Sequence, residues 1–101
     1  MMKPKKPRVH PDSFATLDDN EENLLVTVEL PGVKKEDIDL RMCNDVIYVK
    51  AEKEDVQYLG HIHSKEKIEP KKAEESFRDG LLDIRVPLKE KKSTAIRIEI
   101  N

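Results

Sequence analysis

The alternation in Leu24-Leu25-Val26-Thr27-Val28-Glu29-Leu30 restricts the fold of this chain more than any other feature. Successive side chains of a strand point to opposite faces, so Val26, Val28 and Leu30 share one face and Thr27 and Glu29 the other. Pro31-Gly32 then stops the run, because proline lacks the N–H a ladder needs and glycine admits turn dihedrals. The same period returns at Ile38, Leu40 and Met42, alternating with Asp37, Asp39 and Arg41. After a tight turn at Asn44-Asp45 it continues at Ile47, Val49 and Ala51. These runs are consecutive and closely spaced, which predicts an antiparallel meander.

Phe14 and Thr16 predict a short earlier strand in Ser13-Phe14-Ala15-Thr16-Leu17-Asp18. Beyond the charged segment Lys50–Asp55, Tyr58, Leu59, Ile62 and Ile68 predict one longer, polar strand. Pro70 suits the first position of a brief turn. Asp79-Gly80 reads as a hairpin turn leading into Leu82, Ile84 and Val86, with Pro87 ending the pairing. A charged linker, Lys89–Lys92, precedes the alternation of Ile96, Ile98 and Ile100 with Arg97 and Glu99. Seven or eight short strands without a convincing helix predict an all-β, antiparallel sandwich.

At 101 residues the chain is one domain. Charged residues make up 40% and hydrophobic ones 37%, a balance that would favour disorder if the charges did not nearly cancel at −2. The apolar residues are also grouped, so a folded domain is expected. Near-neutral charge argues against a nucleic-acid partner. The basic opening Lys3-Pro4-Lys5-Lys6-Pro7-Arg8 reads as a solvated, proline-stiffened tail. No apolar run approaches the ~20 residues of a membrane span, and no signal segment is evident, so a cytoplasmic protein with no membrane partner is expected. Cys43 stands alone, which excludes an intramolecular disulfide.

Nothing in the chain has the pattern of a catalytic centre. Gly32, Gly60 and Gly80 are too far apart for a phosphate loop, and no local signature supports a nucleophile with its base. His61 and His63 project from one face of a strand, yet a third metal ligand at suitable spacing is missing. No cofactor and no metal are therefore expected. The closing isoleucines Ile96, Ile98 and Ile100 offer two readings: a last core strand, or a plug for an apolar groove.

Three stretches in order then carry a family resemblance. They are Val28-Glu29-Leu30-Pro31-Gly32-Val33-Lys34-Lys35-Glu36-Asp37-Ile38, Asn44-Asp45-Val46-Ile47-Tyr48-Val49-Lys50-Ala51-Glu52, and Ser76-Phe77-Arg78-Asp79-Gly80-Leu81-Leu82 running on to Val86-Pro87. Together they resemble the small heat-shock proteins of the α-crystallin domain family, over most of Leu24–Asn101. Ile98-Glu99-Ile100 is similar to that family's Ile-x-Ile tail anchor, and Ile96-Arg97-Ile98 offers the same pattern one step earlier.

The resemblance implies an immunoglobulin-like β-sandwich (an α-crystallin domain) over residues 13–88. A short basic, flexible arm (1–12) would precede it, and a linker with the Ile-x-Ile tail (89–101) would follow. It implies an ATP-independent holdase for partly unfolded client proteins, working as a homodimer or homo-oligomer. The tail would lie in a groove for which Val49, Leu82 and Ile84 are candidate lining residues. Glu75 departs from the family's usual alanine. The family's long loop and swapped strand after Val46–Lys53 are missing, so copies would pair edge to edge through Tyr58, Leu59, His61, Ile62 and His63. That loss and the short arm also suit a non-assembling co-chaperone or adaptor of the CS-domain type.

Overall fold

The computed structural model describes residues 6–89 and 98–100. Among these residues eight strands form two sheets: β1 (Arg8–Val9), β2 (Ser13–Leu17), β3 (Asn23–Glu29), β4 (Ile38–Met42), β5 (Val46–Lys53), β6 (Val56–His63), β7 (Glu74–Arg78) and β8 (Leu81–Pro87). One sheet has the order β1-β6-β5-β4 and the other β2-β3-β8-β7. All pairings are antiparallel except β1 with β6.

Period two decides which side chains enter the core. Leu24, Val26 and Val28 of β3, Ile47, Val49 and Ala51 of β5, and Leu82, Ile84 and Val86 of β8 are all buried between the sheets. No polar or charged residue among those described is buried with them. The four ion pairs among the described residues, such as Lys67–Asp45 at 3.6 Å, lie at the surface and add little, because solvent screens them. Burial of aliphatic surface therefore holds this fold together.

Two turns meet at one end of the sandwich. Asp79 (φ 52°) and Gly80 (φ 80°) are both left-handed, the requirement of a two-residue type I′ hairpin joining β7 to β8. Gly80 lies against the turn that ends β3: a Cβ there would sit 3.2 Å from Pro31 Cα. Leu30 N–H donates to Gly80 O at 2.7 Å. A side chain there would crowd the Pro31 backbone and would also have to adopt the left-handed conformation.

Strand partners differ from the expectation in three places. The meander is β4-β5-β6, not β3-β4-β5, because Pro31-Gly32 and the 3-10 turn Lys35–Asp37 carry the chain across to the other sheet. The long strand expected to reach Ile68 ends at His63. Ile68 is instead fully buried: its N–H donates to Asn44 O at 2.7 Å and it bridges to Leu88, closing that end of the sandwich. Lastly, Arg8–Val9, expected within a flexible arm, are paired in register with Gln57 and Tyr58. The brief turn at Pro70 is a 3-10 turn over Pro70–Lys72.

Asp18 organises the β2–β3 connection by accepting from the backbone N–H groups of Glu22 and Asn23 and from Asn23 Nδ2 at 2.8 Å. The Asn23 side-chain bond, helped by these backbone donors, holds its carboxyl below the usual aspartate range. A depressed folded value means stability that is present above the unfolded value of about 3.9 and is lost as pH falls through the folded value. Asp18→Ala should therefore lower the urea midpoint at neutral pH, and the two proteins should converge as acid titrates Asp18. Gly80→Ala should destabilise by at least ~1–2 kcal/mol from the left-handed backbone alone, read as a lower urea midpoint at unchanged slope.

Candidate functional site

A two-layer sandwich leaves its inward side chains half covered wherever a sheet ends. At one open side the terminal strands are β4 and β7, from opposite sheets. Their inward positions are Ile38 and Leu40 on β4 and Phe77 on β7, all half-buried against the core. With Leu82 they line an apolar cleft bordered by Lys35, Asp39 and Glu75. Phe77 stands opposite Leu82, and Glu75 opposite Ile84, so both β7 side chains face the cleft side of the sheet. Glu75, on β7, is thus at the cleft wall.

Of the three candidate lining residues, Leu82 reaches the cleft. All three belong to the core at 2% exposure, and Val49 and Ile84 are not among the residues that line the cleft. Sequence reasoning missed Ile38, Leu40 and Phe77. Their signal was present: apolar residues alternating with Asp39 and Arg41, or flanked by Glu74, Glu75 and Arg78, fit edge strands, which are commonly guarded by charge.

The tail isoleucines are placed separately. Ile98 is 77% and Ile100 95% exposed, so neither belongs to the core of this chain. Ile96 lies outside the described residues. On an extended backbone Ile98 and Ile100 would present two β-branched side chains about 7 Å apart on one side, the spacing that Ile38 and Leu40 show on β4.

β6 sorts its residues by face. Tyr58 and Ile62 are buried in the core, Leu59 is half-buried, and His61 and His63 are exposed on the outer face. The His61 ring packs edge-on against Tyr48 with centroids 5.2 Å apart. What β6 offers a partner is therefore mainly its backbone edge. Its connection to β5 is a two-residue hairpin turn, Glu54-Asp55, between Lys53 and Val56.

Among the described residues no three His, Cys, Asp or Glu side chains gather to hold a metal ion, and no helix is long and apolar enough to cross a membrane. Cys43 is exposed at the end of β4, its N–H donating to Val46 O at 2.8 Å. The arrangement suits surface recognition through the cleft and the strand edges.

Comparison with known proteins agrees with this architecture. Heat shock protein 16.0 from Schizosaccharomyces pombe superposes with a TM-score of 0.72 at 24% identity, over 93% of this chain and 77% of that one. A mutant of hsp14.1 from Sulfolobus solfataricus gives 0.74 at 22% identity, over 90% of this chain and 80% of that one. A small heat-shock protein from Xylella fastidiosa, described as having a distinct high order structure, gives 0.67 at 16% identity over 90% and 95%. No curated protein matches by sequence. At such identities the structures establish the shared fold, while the family profile matches residues 16–101, nearly all of the sandwich and the tail beyond it. The chain belongs to the Hsp20/alpha crystallin family, the small heat-shock proteins.

Proposed function

We propose that this protein is an ATP-independent holdase that binds partly unfolded proteins and limits their aggregation. The observation that carries this reading is the pairing of an open apolar cleft with an exposed Ile-x-Ile tail. Both are apolar surfaces that water disfavours, and both match in period. The tail of one copy would enter the β4–β7 cleft of another, and the cleft that holds a tail would also take an extended, apolar client segment. Copies would pair through the β6 edge. Holding a client in this way needs no nucleophile and no cofactor.

One observation favours the adaptor reading. The Glu54-Asp55 turn leaves no loop between β5 and β6 for a strand exchanged with a partner, so assembly rests on the edge and the tail alone. The distinguishing property is native mass.

The chain should suppress heat aggregation of an unrelated client without nucleotide, and no suppression at severalfold excess would remove the holdase reading. Ile98→Ala with Ile100→Ala should lower the assembly mass in sedimentation, since each buried isoleucine contributes ~1.5–3 kcal/mol. Leu40→Ser should reproduce that loss from the cleft side. A protein that is strictly monomeric at all concentrations would be an adaptor instead.

A further inference from the structure

β6 carries no charged residue in Val56-Gln57-Tyr58-Leu59-Gly60-His61-Ile62-His63, within a chain that is 40% charged. The edges at β4 and β7 carry charges of both signs, and β2, also uncharged, is only a five-residue strand. An eight-residue edge lacking charge and proline is the kind that other strands adopt as a partner. In this protein it is partly covered by the protein's own N-terminal segment.

That cover is specific. Arg8 and Val9 lie parallel to β6, opposite Gln57 and Tyr58, and Gln57 N–H donates to Pro7 O at 2.9 Å. His10 Nδ1 is 3.0 Å from Leu59 O. Pro11 then crosses over Gly60, where a Cβ would meet the proline ring at 3.2 Å. Asp12 O accepts from Glu29 N–H at 2.8 Å, fastening the segment to the other sheet just before β2 begins.

Backbone groups along a strand alternate between its two sides. Gln57 and Leu59 face β1, so His61 and His63 face the same edge, beyond the point where β1 ends. The open part is thus the last few residues of β6, shorter than the usual five or six of a stable strand pairing.

We propose that β1 is a detachable guard over the β6 edge, and that the partner it holds off is β6 of a second copy of this chain. Antiparallel pairing of one strand with itself about a two-fold axis is self-complementary, and an uncharged strand meets its copy without like-charge repulsion. When β1 leaves, two exposed residues of parallel pairing are exchanged for antiparallel pairing along up to the whole of β6. Short, exposed pairings of this kind are among the first to open. The N-terminal segment thereby sets how much of the protein is competent to dimerise. This rests on the β6-edge pairing proposed above.

The test is sedimentation equilibrium under reducing conditions, in a chain carrying Ile98→Ala and Ile100→Ala so that tail contacts do not contribute. Val9→Pro removes the backbone donor of β1 within the full-length chain, and a chain trimmed to start at His10 removes β1 altogether. Both should lower the dimer dissociation constant, on the order of a hundredfold if each guard is released about a tenth of the time in the parent, because both copies must be open at once. His61→Pro removes an N–H from the open part of the edge without touching the β5 ladder, and should abolish dimers in every background. Unchanged or weaker association after Val9→Pro, with dimers still lost on His61→Pro, would overturn the guard and leave the edge pairing standing. Dimers that survive His61→Pro would overturn both. If the trimmed chain does not fold, Val9→Pro decides alone.

Discussion

The close approach of Gly80 to Pro31 is the constraint on which the rest of this sandwich depends. It brings the start of β8 against the end of β3, and the Leu30–Gly80 backbone bond fixes them in register. Val28 then faces Leu82, Val26 faces Ile84 and Leu24 faces Val86, so both central strands point the same residues inward. A slip of one residue would turn every one of these side chains to solvent. With no Trp and only two Phe and two Tyr, the protein has few large side chains with which to recover from such an error.

Once the two central strands are set, the sheets must end somewhere, and the ends leave backbone and apolar side chains open. A closed barrel would have no edges, whereas a two-layer sandwich keeps four. Each end is treated differently here. Between β4 and β7 an apolar floor of Ile38, Leu40, Phe77 and Leu82 is flanked by the charged Lys35, Asp39 and Glu75. β6 is neutral along its whole length and carries β1 on part of its edge. Backbone and aliphatic surface of this kind, under the function proposed above, would tolerate many partner sequences, because neither main-chain hydrogen bonding nor hydrophobic burial requires a particular one.

The faces of the strands were legible in the chain because they follow from a local property, the two-residue period of an extended backbone. The Asp79-Gly80 turn was legible for a similar reason: positive φ at consecutive residues needs side chains that permit it. Val28–Ile38 and Ser76–Leu82 also carried the family resemblance, and they are the segments that contain the two glycines of the meeting turns. The cleft was legible only in part. Val49, Leu82 and Ile84 face the interior from strands with a neighbour on both sides, whereas Ile38, Leu40 and Phe77 face it from strands at a sheet end. Period two reports the face of a side chain and is silent on that distinction.

The amino-acid sequence by itself determined which residues are extended, which side chains face inward, and where Gly80 and Pro31-Gly32 must turn the chain. Those properties depend on dihedral preference and on neighbours two residues away. Only the tertiary structure decided that β4 belongs with β5 and β6 and not with β3, that Ile68 closes an end of the core, and that β4 and β7 flank an open cleft. It alone placed Arg8–Val9 on β6, a pairing of residues as far apart in the chain as Arg8 and Gln57. Such pairings depend on which edges remain free after the core has closed, and no local period records that.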